Sequence, residues 1–199
     1  EAALDAPKLA AYARGLEILL YHAEDSLGNP PRPPNDRTLL ASEQVCQRFA
    51  LFQQGFAVGS RASFRLPFHQ RVARYVETAL GMDAPLTSYA YNEVAVCHQA
   101  LAAFAEAEPL MRRALAIDEQ SYGADHPHVA RDLNNLAWLL QATNRLAEAE
   151  PRMQRAYLIF KRSLGLEHPS TQIVSKNYVD LLEQMGFTEQ QIQSKLDEL

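Results

Sequence analysis

A repeat of 42 residues is the feature that most restricts how this chain can fold. The segment AEAEPLMRRALAIDEQSYGADHP, residues 105–127, returns as AEAEPRMQRAYLIFKRSLGLEHP, residues 147–169. A repeat of this length without glycine-rich or β-branched runs is typical of stacked helical hairpins rather than of a closed globule. Such molecules act mainly through extended grooves, so we expect a binding surface rather than a catalytic pocket.

The same period extends toward both ends of the chain. It relates glycines and prolines in two series, Gly81, Gly123, Gly165 and Pro85, Pro127, Pro169. We therefore expect residues 1–199 to form a single solenoid. Its predicted parts are a degenerate half-repeat over 10–28, a proline-rich loop insertion over 29–37, a degenerate repeat over 42–81, repeats over 87–123 and 129–165, a terminal half-repeat over 171–186 and a capping helix over 188–199.

Each unit is predicted to consist of two helices. In the clearest repeat, the first helix carries one apolar stripe with helical spacing, formed by Leu133, Leu136, Ala137 and Leu140. The second helix carries a matching stripe of Ala149, Met153, Ala156 and Ile159 or Phe160. The alanines in both stripes allow the two helices to approach closely.

Turn residues predict where these helices begin and end. Gly123 and Gly165 suit the position that follows a helix, where φ is positive. Asn144 suits the short turn between two helices. Pro109 and Pro151 are expected in the first turn of the second helices, where a missing N–H costs nothing.

The starts of several helices also carry polar signals. Thr188 followed by Gln191 predicts a capping box at the start of the polar terminal helix. Acidic residues near the starts of the second helices are expected to be solvated and favoured by the helix dipole: Glu106, Glu108, Glu148 and Glu150.

Composition excludes several classes of function. The net charge of −5 argues against a nucleic-acid-binding face, and no apolar run approaches the length of a membrane span. Cys46 and Cys97 are expected to be reduced thiols in a cytoplasmic protein. Because the chain begins with Glu1 rather than Met, we expect it to be a fragment of a longer protein.

The sequence holds no convincing catalytic or metal site. His126 and His128 resemble a metal-binding pair, but only the first of them recurs, as His168, and no third ligand is near. A histidine that recurs at each turn is expected to be structural. With no phosphate-binding glycine loop and no nucleophile elbow, we expect no cofactor, no catalytic residue and no enzymatic activity.

The repeat resembles the 42-residue tetratricopeptide repeat of the kinesin light chain type. The resemblance is carried by residues 82–186 and weakens toward the N-terminus. Bacterial chains carry similar repeats beside nucleotide-binding ATPase or caspase-like domains. The resemblance implies an all-α, right-handed superhelical solenoid of antiparallel helix pairs, closed by a polar C-terminal capping helix.

The resemblance also implies that the first helix of each unit lines a concave groove. The groove positions are Arg131, Asn134, Asn135, Trp138 and Gln141 in the best repeat, Tyr89, Asn92, Glu93, Val96 and Gln99 one repeat earlier, and Ile173, Lys176, Asn177, Asp180 and Glu183 one repeat later. Asparagines can pair with a peptide backbone, an arginine can hold a carboxylate, and a tryptophan can anchor the partner. The acidic members argue against a groove that clamps only acidic tails.

Each of these roles has an alternative. One of Asn134 and Asn135 could only tie neighbouring helices together, Trp138 could pack between helices, and Arg131 could form an exposed ion pair with Asp132.

These patterns favour a non-catalytic protein–protein interaction module that belongs to a larger signalling or scaffold protein. Its expected ligand is a peptide or a partner domain held in the groove. The alternative is a self-assembly module, in which the degenerate N-terminal helices form a homodimer or interdomain interface. The apolar segments ALFQQGFAVG, residues 50–59, and FRLPF, residues 64–68, would form that interface.

Overall fold

A computed structural model describes residues 62–199 of the chain. This range forms helices and contains no strand: α1 is Ala62–Leu80, α2 Pro85–Ala100, α3 Phe104–Tyr122, α4 Pro127–Ala142, α5 Leu146–Leu164, α6 Pro169–Gln184 and α7 Glu189–Asp197. The predicted half-repeat over 10–28, the loop over 29–37 and the apolar segment over 50–59 lie outside the described residues.

The 42-residue period reappears in the helices themselves. The helices α1, α3 and α5 each contain 19 residues, and α2, α4 and α6 each contain 16. Within each series the first residues are 42 apart, at 62, 104 and 146 and at 85, 127 and 169. Among the described helices only α7 departs from this pattern. It has 9 residues, about half the length of α1, α3 and α5.

The chain divides into two compact units, Glu1–Ala103 and Phe104–Leu199. In the described part of the first unit, α1 packs against α2. Buried apolar side chains lie on both helices of this pair, among them Ala73, Val76, Ala90 and Val94. The spacing of each pair along its helix places one apolar face of α1 and one of α2 in the core.

In the second unit, each helix packs against the next and α4 also contacts α6. The predicted stripes on α4 and α5 are buried throughout, as the pattern of apolar spacing requires: Leu133, Leu136, Ala137, Leu140, Ala149, Met153, Ala156, Ile159 and Phe160. Burying the leucine, methionine, isoleucine and phenylalanine side chains among them contributes about 1.5–3 kcal/mol each, so these two stripes supply much of the unit's stability.

The turns follow the predicted chemistry. Gly123 and Gly165 have φ of +87° and +82°, and Asn144 has φ of +60°. Thr188 and Gln191 form the predicted capping box at the start of α7. Glycine and asparagine tolerate positive φ, which explains why these residue types punctuate the repeat.

The recurring histidine is structural, as predicted. His126 and His168 are the N-cap residues of α4 and α6, and each is followed by a proline in the first turn. The Nδ1 atom of His126 accepts a hydrogen bond from the backbone N–H of His128 at 3.2 Å, and that of His168 accepts from Ser170 at 3.1 Å. The imidazole thereby satisfies one of the helix's unpaired first donors.

The prediction for Pro109 and Pro151 is wrong. Both lie inside their helices, since α3 begins at Phe104 and α5 begins at Leu146, which places each proline in the second turn. A proline there deprives the carbonyl four residues earlier of its helical donor. Those carbonyls belong to Ala105 and Ala147, whose exposure lets water replace the donor.

Glu150 also differs from its predicted solvated state. Its Oε1 atom accepts a hydrogen bond from the Tyr178 hydroxyl and lies 2.9 Å from the Lys195 ammonium. Burial and this carboxylate raise the pKa of Tyr178 well above its usual range. Glu150 therefore links α5 to both α6 and α7, and the short α7 is fixed by this contact and by its one buried residue, Ile192.

None of the described helices is long and apolar enough to cross a membrane.

Candidate functional site

The predicted groove residues of the second unit lie on two neighbouring helices. On α4 they follow helical spacing from Arg131 to Gln141, and on α6 from Ile173 to Glu183, so each set occupies one face. Because α4 and α6 are in contact, the two faces form a continuous surface. We call this surface the α4–α6 groove.

Two amide pairs hold the α4–α6 groove together. Asn177 Nδ2 donates to Asn134 Oδ1 at 2.9 Å, and Gln141 Nε2 donates to Gln184 Oε1 at 2.9 Å. Asn134 Nδ2 also lies 3.4 Å from Asn135 Oδ1. Asn134 therefore has the helix-tying role that the sequence left open, and the amides fix the relative position of the two helices.

A cavity of about 320 Å³ lies in the groove beside these amides. It is lined by Trp138, Gln141, Ala142, Asn177, Asp180 and Gln184. Trp138 is 45% exposed, so the indole is not used to pack the interior. Trp138 and Asp180 are 42 residues apart and thus occupy the same repeat position on adjacent helices.

Arg131 is engaged by carboxylates of its own chain. Its Nε and Nη2 atoms donate to Asp132 Oδ1 at 2.9 and 2.8 Å, and Nη2 also donates to Asp118 Oδ2 at 3.2 Å. Both aspartates are buried, with exposures of 0% and 1%. The pair with Asp132 is therefore a buried interaction rather than the exposed ion pair that the sequence suggested.

One arginine faces two buried carboxylates, which favours a proton on one of them. Burial raises the pKa of Asp132 to about 7, the Arg131 charge opposes the shift and Asp118 adds to it. When both are ionised, Asp118 Oδ1 and Asp132 Oδ2 are buried without a donor among the described residues. A proton on Asp132 supplies that donor.

The remaining predicted groove residues belong to the first unit. Tyr89, Asn92, Glu93 and Gln99 lie on one face of α2, and Asn92 is buried. Glu93 Oε2 lies 3.6 Å from the Arg65 guanidinium and 3.9 Å from His69 Nε2 on α1. Glu93 is thus used in the packing of α1 against α2.

Burial dominates the chemistry of this α1–α2 contact. It lowers the pKa of His69 to about 3, with the charge of Arg65 adding to the effect. It raises the pKa of the Cys97 thiol to about 11. Both groups are therefore uncharged near neutral pH and serve as packing residues. In the part of the chain that the structure describes, no three His, Cys, Asp or Glu residues gather as a metal site.

Sequence reasoning missed Asp118 and considered Asp132 only as an exposed partner of Arg131, although the repeat carried a signal that both are buried. The residues 42 positions before and after Asp118 are Val76 and Phe160, and those around Asp132 are Ala90 and Val174. These four counterparts are buried apolar residues. A carboxylate at a position that is apolar in both neighbouring copies indicates a buried polar contact.

Comparison with known proteins agrees with this architecture. The tetratricopeptide repeat family model matches residues 86–162. No curated protein matches the chain in sequence. Among solved structures, BtubC (BKLC) from P. vanneervenii is similar, with 16% identity, a TM-score of 0.69 and coverage of 93% of this chain and 68% of that one.

Two structures of nearly identical TPR-like repeats of a kinesin light chain from P. anserina are also similar. One, a single-residue variant, has 18% identity, a TM-score of 0.63 and coverage of 94% of this chain and 84% of that chain. The other has 19% identity, a TM-score of 0.60 and coverage of 93% and 83%. Residues 86–162 therefore match the tetratricopeptide repeat family, and the chain shares the fold of these kinesin-light-chain-like repeat structures.

Proposed function

We propose that this chain is a non-catalytic interaction module whose α4–α6 groove binds an extended peptide segment of a protein partner. The tetratricopeptide-repeat fold is that of a protein–protein interaction module in general. The observation that carries the narrower proposal is the exposed indole of Trp138 in a cavity between two amide-bonded helices. Exposed aromatic anchors in concave sites are the residues that contribute most to binding.

The polar lining of the groove supports a peptide rather than a purely apolar ligand. Gln141, Asn177 and Gln184 line the cavity together with Trp138 and place amide groups there. An extended peptide has free backbone N–H and C=O groups that need such partners when they leave water. The apolar anchor supplies affinity and the amides supply orientation.

The proposed setting is a cytoplasmic one, within a larger bacterial signalling or scaffold protein. Cys97 is a free, buried thiol, which suits a reducing compartment.

A random peptide display library selected on the full chain tests the proposed function. Peptides that bind the parent chain are expected to bind Trp138→Ala at least about tenfold more weakly, because the anchor is lost. Met82→Ala is the matched control, since Met82 is 52% exposed and lies outside the groove. Equal binding by the parent and Trp138→Ala, or failure of the parent to retain any peptide, would contradict the proposal.

A further inference from the structure

We propose that the peptide held in the α4–α6 groove presents an arginine or lysine side chain to Trp138 and Asp180. This inference rests on the proposed function and specifies the chemistry of its ligand. It makes the groove a receptor for a basic segment of a partner, the opposite of a clamp for acidic tails.

The first support is the charge of the cavity. Asp180 is exposed, lines the same cavity as Trp138, and forms no ion pair or hydrogen bond with any residue in the range 62–199. Lys176 precedes it by one helical turn without forming an ion pair to it. The nearest fixed cation on α4, Arg131, is held by Asp118 and Asp132. Asp180 therefore gives the cavity a negative charge that no ion pair within the range 62–199 neutralises.

The second support is the pairing of that carboxylate with an aromatic face. Trp138 and Asp180 occupy the same repeat position on adjacent helices, so they flank the cavity from its two sides. A guanidinium or ammonium group can lie over an indole face and donate to a carboxylate at the same time. The cavity of about 320 Å³ is within the range of ligand-binding pockets and can hold one long side chain.

Other side chains fit this site less well. An acidic side chain would be repelled by Asp180, and an apolar one would remove water from the carboxylate without replacing its hydrogen bonds. The long apolar stem of arginine or lysine can instead cover Ala142 and the indole while its charged end reaches Asp180.

Fluorescence gives a direct readout because Trp138 is the only tryptophan of the chain. The full chain is titrated with N-acetyl-arginine amide, N-acetyl-glutamine amide and N-acetyl-glutamate amide. The arginine probe is expected to change the emission and to bind about tenfold more tightly than the other two, as a charge-assisted hydrogen bond allows. Asp180→Asn should remove this preference. Glu167→Gln, which alters an exposed carboxylate outside the groove, should keep it.

The library selection separates the two proposals. Both proposals are supported if the selected peptides bind through Trp138 and carry an excess of arginine or lysine. This excess should disappear when the selection is repeated on Asp180→Asn. Peptides that bind through Trp138 without that excess overturn the basic-ligand proposal and leave the groove function standing. Equal binding of the three amide probes, or an Asp180→Asn variant that behaves like Glu167→Gln, also overturns it. A parent chain that retains no peptide overturns both.

Discussion

At the scale of single residues, the contact among Asp118, Arg131 and Asp132 has the clearest consequence for stability. Two buried carboxylates around one guanidinium carry an excess negative charge once both are ionised. A buried charge without full compensation is costly, so the folded state holds a proton that the unfolded chain would release.

The sign of the resulting pH dependence follows from the pKa of Asp132. Its ordinary value is 3.8 and its value in the folded chain is about 7. The folded state therefore binds more protons between these values, and the stability from this group is complete below about pH 4 and is lost as the pH rises through 7. His128 nearby contributes in the opposite direction below its ordinary pKa of 6.5, because burial and the Arg131 charge lower its pKa and the folded state then binds fewer protons there than the unfolded chain.

Asp132→Asn is expected to stabilise the folded chain at pH 8 by about 2 kcal/mol, since the amide still accepts from Arg131 and carries no charge. At pH 4 this gain should vanish. Thermal unfolding followed by circular dichroism from pH 4 to 8 measures both. Asp125→Asn, which alters an exposed turn residue, should follow the parent chain at every pH. If the stabilities of the parent chain and Asp132→Asn changed in parallel with pH, Asp132 would be ionised in the folded chain from pH 4 to 8.

The same contact shows where sequence reasoning reached its limit within the site. Helical spacing predicted which side chains share the face of α4, because that depends only on the period of the helix. It did not predict that Arg131 is held by Asp118, since this requires knowing how α3 packs on α4. Nor did it decide between the roles of Asn134 and Asn135, which depends on the register between α4 and α6.

At the scale of elements, the terminal helix α7 is the least secured part of the described chain. It has 9 residues where α3 and α5 have 19, and Ile192 is its one buried residue. The Lys195 contacts with Glu150 and with the ring of Phe187 hold its C-terminal half. Isolated helices of this length are marginal in water, so these contacts keep α7 folded.

Glu150→Ala is expected to loosen α7 and to lower stability by about 1–2 kcal/mol, because the buried Tyr178 hydroxyl loses its acceptor. Amide hydrogen exchange should accelerate over residues 189–197 more than over α4. Glu106→Ala is the control, because Glu106 lies in the first turn of α3 and is exposed. Unchanged exchange in α7 would mean that Ile192 and the contact of Lys195 with the Phe187 ring hold the helix without Glu150.

Sequence patterns predicted the helices better than the position of residues within them. Glycine and asparagine located the turns, because few other residues accept positive φ. Pro109 and Pro151 were misplaced because the chain enters the helix immediately after a tight turn, five residues before each proline. A proline in the second turn is tolerated when the orphaned carbonyl faces water, and sequence alone does not show which carbonyls do.

At the scale of the whole molecule, the 42-residue period determines the fold class and the repeat packing builds the units. Each helix of the second unit contacts its sequence neighbours, with α4 and α6 adding the only other substantial contact in Phe104–Leu199. In such an arrangement stability is close to a sum over repeats and their interfaces. The period was readable from sequence, whereas the division of the chain at Ala103 was not, since the repeat continues through it.

This organisation predicts that the second unit can fold by itself. A chain of residues 104–199 contains α3 to α7 and the core stripes of α4 and α5. It should show helical circular dichroism and one cooperative thermal transition, at a lower temperature than the full chain because fewer interfaces contribute. A fragment of residues 104–164, which lacks α6 and α7, should melt lower still, since the Asn134 and Glu150 partners are gone. A disordered 104–199 fragment would instead mean that the second unit requires residues 1–103, and that stability along this chain is not additive.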